Sequence, residues 1–189
     1  MQTADSGDIS PRTMTLEAFA DTLVPGESRY PGDRAIAGAA PGPGAVAAGA
    51  VELLETPATG IADGLDGFVQ ALNAHAAVYA SDHGLASDTS VPPFVALSFA
   101  DRSALVRALT APGHPEKDLW VLLALFSFMA FDTAAHMHTV DAIAAGHPGL
   151  TAMGFAKPDA DGLWRFPDYS YGRSLARLHP DTTSSGSPA

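Results

Sequence analysis

The chain has 189 residues, 18 of them Gly and 15 Pro, a length suited to one domain of ordinary size and a Gly and Pro share below the roughly 25–30% of low-complexity polymers. Ten basic against 21 acidic residues give a formal charge of −11, and no cysteine is present. Repulsion from phosphate backbones and anionic headgroups argues against nucleic acid and membrane surfaces as partners, and disulfides, thiolate metal sites and cysteine nucleophiles are excluded outright.

Residues Met1 to Met14 carry one basic residue, Arg12, and no apolar stretch. An export signal needs both a charged start and an apolar middle, so the expected location is cytoplasmic and the first dozen residues read as a disordered tail. From Thr15 the positions Leu16, Phe19, Ala20 and Leu23 follow the spacing of one helix face, and Pro25-Gly26 ends it. The stretch from Glu27 to Gly44 is rich in Gly, Pro and Ala and reads as a long irregular loop. A second helix is expected from Pro43, with Val46, Gly49, Ala50, Leu53 and Leu54 on it, until Pro57. Ile61, Leu65, Phe68, Val69, Leu72, Ala76 and Tyr79 mark a third, closed by Gly84. Ser98 with Asp101 three residues on forms a capping-box start for a fourth, which Pro112-Gly113 ends.

A fifth helix is expected from Glu116 and Asp118 through Phe131 to Ala145, where Gly146 and Pro148 stop it. Leu119 to Phe131 is the longest apolar run and too short for the roughly 20 residues of a membrane span, so no membrane insertion is expected. A helix apolar on all sides calls for cover on all sides, and the hydrophobic core is expected around it. The fold class is therefore all-α: an irregular bundle of about five helices in one domain from residue 13 to 179, with a long loop in its N-terminal half. From His147 onward neither helical nor strand periodicity persists, which predicts an extended aromatic C-terminal arm. Residues 180–189 are rich in Ser, Thr, Pro and Gly and read as a disordered tail.

Seven histidines invite a metal site, but His136 and His138, two apart on a helix, point away from each other and cannot chelate one ion. No metal is expected. Asp132 and His136, one turn apart, are the best candidate for acid/base chemistry, a carboxylate orienting an imidazole at the edge of an apolar core. The alternative for that pair is a structural hydrogen bond. The arm supplies Phe155, Trp164, Phe166, Tyr169, Tyr171 and Arg173, residue types that anchor interfaces, as candidates for partner or ligand contact. The alternative is that the arm packs back on its own bundle.

Three segments resemble one family. Thr15-Leu16-Glu17-Ala18-Phe19-Ala20-Asp21-Thr22-Leu23-Val24-Pro25-Gly26 is similar to the first helix and "D-T-L-I/V-P" turn of the small subunit of gluconate 2-dehydrogenase-type flavin oxidoreductases (subunit 3, or gamma subunit). Pro43 to Leu54 resembles that family's "P-G-A-x-x-A-G-V" helix, and Gly162, Phe166, Pro167, Asp168, Tyr169 and Tyr171-Gly172 resemble its "G-x-F-x-D-P-x-Y-G-G-N" segment. The resemblance implies a non-catalytic helical subunit, without a cofactor of its own, that stabilises a large FAD-containing oxidoreductase of the glucose-methanol-choline type. Two departures are visible: the twin-arginine export signal of many family members is missing, and Arg173-Ser174 follows Gly172. A divergent cytoplasmic member is the reading that fits both. The alternative is a standalone cofactor-free enzyme that uses Asp132 and His136 in an apolar pocket.

Overall fold

The computed structural model describes residues 10–86 and 88–155, and all of their regular structure is helical. In chain order the helices are α1 (Pro11–Leu23), α2 (Ala50–Glu55), α3 (Leu65–Asp82), α4 (Pro93–Ala96), α5 (Phe99–Leu109), α6 (Lys117–Thr133), α7 (Thr139–Ala145) and α8 (Pro148–Ala152). The all-α expectation holds. Helix α1 begins inside the stretch expected to be tail, because the Ser10 hydroxyl accepts the Thr13 N–H at 3.1 Å and Pro11 takes the first helical position.

The core is built around α1 rather than around the apolar run of α6. Thr15 to Asp21 are all buried, and α1 touches each of α2, α3, α4, α5 and α6. Its Phe19 ring lies 6.5 Å from Phe94 and 6.4 Å from Trp120, two further side chains with almost no solvent contact. Burying each such ring contributes about 2–3 kcal/mol. Trp120 keeps its polar edge satisfied by donating from Nε1 to Glu116 Oε2 at 3.1 Å.

Central α1 carries two carboxylates into this core, and both are answered. Glu17 accepts both ends of the Arg29 fork, at 2.6 and 2.8 Å. Asp21 accepts the N–H of Gly26 at 3.1 Å and of Ala37 at 2.9 Å. These bonds order the irregular segment 24–49, whose Ala35 and Ile36 are buried. The segment closes on itself where Gly26 and Gly44 meet backbone to backbone: a Cβ on Gly26 would lie 2.5 Å from the Gly44 nitrogen. Flanking bonds from Glu27 N–H to Gly42 C=O (2.8 Å) and Ala45 N–H to Val24 C=O (2.9 Å) lock the contact.

The second helix is shorter than its sequence pattern predicts. Residues 45–49 form turns, and α2 starts only at Ala50 because Gly49 adopts φ +84°. The fifth predicted helix is two, α6 and α7, and α8 forms beyond its expected end, at the start of the stretch from His147 for which no helical periodicity is expected. Ala134 adopts a left-handed conformation (φ 50°), the Ala135 N–H closes α6 on the Met129 carbonyl, and the chain restarts as α7 and then α8. A non-glycine residue in that region costs about 1–2 kcal/mol. Ala134 is held there by burial beside Ala142 and Leu150.

Candidate functional site

Helix α6 faces two environments. Trp120, Leu123, Ala124, Ser127 and Ala130 recur at helical spacing and are buried, Ser127 returning its hydroxyl hydrogen to the Leu123 carbonyl at 3.1 Å. On the other side Val121, Leu125 and Phe128 are 42%, 50% and 44% exposed. This corrects the expectation that the apolar run is covered all round: it is amphipathic in position though not in composition. Between this stripe, α5 and the end of α1 runs a groove of about 540 Å³ floored by Leu23, Val106 and Ala124. Arg107 is its one charged lining residue among those described.

Asp132 and His136 do not form a pair. They share a face only if the helix continues, and it ends at Thr133. Asp132 is exposed on the last turn of α6, while His136 turns inward against Gly49, where an added Cβ would lie 2.4 Å from Nε2. The acid/base element expected from their spacing is therefore not assembled. His136 meets His147 instead, with ring centroids 5.7 Å apart. His147 is fully engaged: Nδ1 accepts the Leu150 N–H at 3.3 Å and caps α8, so Nε2 carries the hydrogen donated to the Ala48 carbonyl at 3.0 Å.

Nδ1 of His136 is buried and has no partner among the described residues. Desolvation pushes the His136 imidazole below its ordinary pKa, His147 adds to the effect, and Glu52 opposes it. A folded-state value below the unfolded one means that the unfolded chain takes up the proton first. Stability is intact above about pH 6.5 and falls as pH drops through the unfolded value, until the folded value is passed. A histidine titration followed by NMR should place His136 below about 6.5, and His136→Gln should flatten the loss of melting temperature between pH 7 and 5. A midpoint at or above the unfolded value contradicts the burial account.

A second, more polar cleft of about 650 Å³ lies between α1, α2 and the 26–44 segment, with Glu17, Asp21 and Arg29 among its walls. Glu17 and Asp21 are committed to Arg29 and to backbone N–H groups, which makes that wall of the cleft a structural joint; Glu55 pairs with Arg12, and Glu27 and Glu52 also line the cleft. Sequence reasoning overlooked Asp21 and Arg102 as organisers of this region. The only available signal was the presence of a charge inside an otherwise apolar helical stripe. His75 pairs with Glu116 Oε2 at 2.7 Å, the same oxygen that takes the Trp120 hydrogen bond. Hydrogen bonds from both partners, His75 first, hold the Glu116 carboxyl below its usual range.

Of the aromatic arm candidates, Phe155 is half exposed. Trp164, Phe166, Tyr169, Tyr171 and Arg173 lie outside the described residues, as do residues 1–9 and 180–189 expected to be tails. Among the described residues no three His, Asp or Glu side chains converge as a metal ion would require, and no helix is long and apolar enough to cross a membrane. No curated protein and no solved structure matches the chain. Residues 10–189, which include every helix above, match the family of unknown function DUF5987, and the chain belongs to that family.

Proposed function

We propose that the chain is an accessory small subunit that binds and stabilises a FAD-dependent oxidoreductase of the glucose-methanol-choline type in the cytoplasm, with the flavin held by the partner. The observation that carries this reading is the exposed stripe Val121, Leu125 and Phe128 on a helix that holds no charge between Asp118 and Asp132. Apolar surface at helical spacing beside a groove is the form in which one protein receives another. The resemblance of Thr15–Gly26 and Pro43–Leu54 to the gluconate 2-dehydrogenase small subunit adds support, since these two segments meet at the Gly26–Gly44 contact. The standalone-enzyme alternative loses its acid/base pair with the separation of Asp132 from His136.

Co-expression tests the proposal. A large FAD-binding oxidoreductase of the glucose-methanol-choline type from the same genome should accumulate as soluble, flavin-loaded protein in its presence and aggregate or lose flavin in its absence. Equal yield and flavin content with and without the chain contradict the reading, as does turnover of a small substrate by the chain alone.

A further inference from the structure

The geometry points to the α1/α5/α6 groove as the seat of one particular kind of partner element: an amphipathic helix of the flavoprotein with an apolar stripe and an Asp or Glu placed to meet Arg107. The inference rests on the subunit reading above and specifies its contact. Three features define the occupant. Val121, Leu125 and Phe128 stand at i, i+4 and i+7 and extend about 10 Å along α6, the length of two helical turns. Their exposure of 42–50% leaves half of each side chain for another apolar surface. Leu23, Val106 and Ala124 continue that surface into the groove floor.

Charge sets the chemistry. Acidic residues outnumber basic ones 21 to 10 in the chain, yet among the described residues no carboxylate lines the groove and its one ion is a cation, Arg107. Arg12, Arg29 and Arg34 each hold an acidic partner, and Arg102 is occupied by backbone carbonyls. Arg107 is exposed, and no ion pair of it occurs among the described residues. A guanidinium at the rim of an apolar groove selects a carboxylate at a defined place on the incoming surface and speeds encounter with it. Exposed Asp118 and Asp132 sit beyond the two ends of the stripe on the same side of α6 and bound its apolar length.

The test uses the full chain and the co-expressed FAD-binding oxidoreductase, with affinity measured by calorimetry. Leu125→Glu should weaken binding at least 100-fold while leaving the melting temperature of the free chain nearly unchanged, since Leu125 is half exposed. Arg107→Glu should weaken it at least tenfold, and Arg107→Lys should bind within a few-fold of the parent. A photo-crosslinking residue at Phe128 should join the chain to the flavoprotein. If the complex forms and both charge-introducing variants bind like the parent, the groove assignment is overturned and the subunit reading stands. A crosslink within the same chain or to a second copy also overturns the assignment. Absence of any complex with the parent chain overturns both.

Discussion

Arg102→Met should lower unfolding free energy by about 4 kcal/mol. The side chain is 3% exposed and donates to four carbonyls: Phe94 at 3.2 Å from Nε, Ala35 at 2.8 Å from Nη1, and Arg34 and Val95 at 2.8 and 2.6 Å from Nη2. Two of these belong to the 26–44 segment and two to α4, so one guanidinium pins the irregular segment to the helices beneath it. Each buried acceptor left without a partner costs about 1–3 kcal/mol, and Met restores volume but no donor. For a chain of this size the loss corresponds to a fall of about 10 °C in melting temperature. Arg102→Lys should recover less than half of it, because a single ammonium cannot span the acceptors that the planar fork reaches. Thermal and urea unfolding measure both variants, and a loss below about 1 kcal/mol for Arg102→Met would mean that the segment is held by other contacts.

The second large effect is expected at Asp21. Asp21→Ala removes the acceptors of the Gly26 and Ala37 N–H groups and should cost about 3 kcal/mol, again read by urea unfolding. Asp21→Asn keeps one acceptor but turns an amide N–H toward the other donor, and should fall between. The pH dependence carries a sign. Burial pushes the Asp21 carboxyl above its ordinary value, against the opposing pull of the Ala37 and Gly26 N–H groups and of Arg102. The folded chain thus holds a proton that the unfolded chain has already lost. The contribution of this group is greatest at low pH and declines as pH rises through the unfolded and then the folded value. The difference in stability between the parent and Asp21→Asn should change across that interval and be flat above it. A difference independent of pH contradicts the assignment of burial as the dominant cause.

Local features of the chain were legible where local forces decide. The Ser98 and Asp101 box is realised, with Ser98 Oγ accepting the Asp101 N–H at 3.2 Å and donating to its carboxylate. Gly84 closes α3 in a left-handed turn, as its position predicts. The end of α6 escaped detection because Ala134 does what sequences usually assign to Gly or Asn, under the constraint of packing against Ala142 and Leu150. The exchange of roles between α1 and α6 has a similar origin. Glu17 and Asp21 make α1 look half-solvated, and only partners distant in sequence, Arg29 for one and Ala37 for the other, allow both to be buried. Conversely α6 carries no charge across its exposed stripe, so nothing in its composition separates the side that meets the core from the side that does not. The bond from Arg102 to Ala35 spans 67 residues and leaves no periodic trace.

The most direct measurement is the native mass of the affinity-purified chain after co-expression with a FAD-dependent oxidoreductase of the glucose-methanol-choline type from the same genome. A discrete assembly containing both polypeptides and bound flavin, stable at high salt and lost with Leu125→Glu, is the predicted result. A chain that elutes alone or as a homo-oligomer, while the flavoprotein is folded and flavin-loaded without it, would contradict the account.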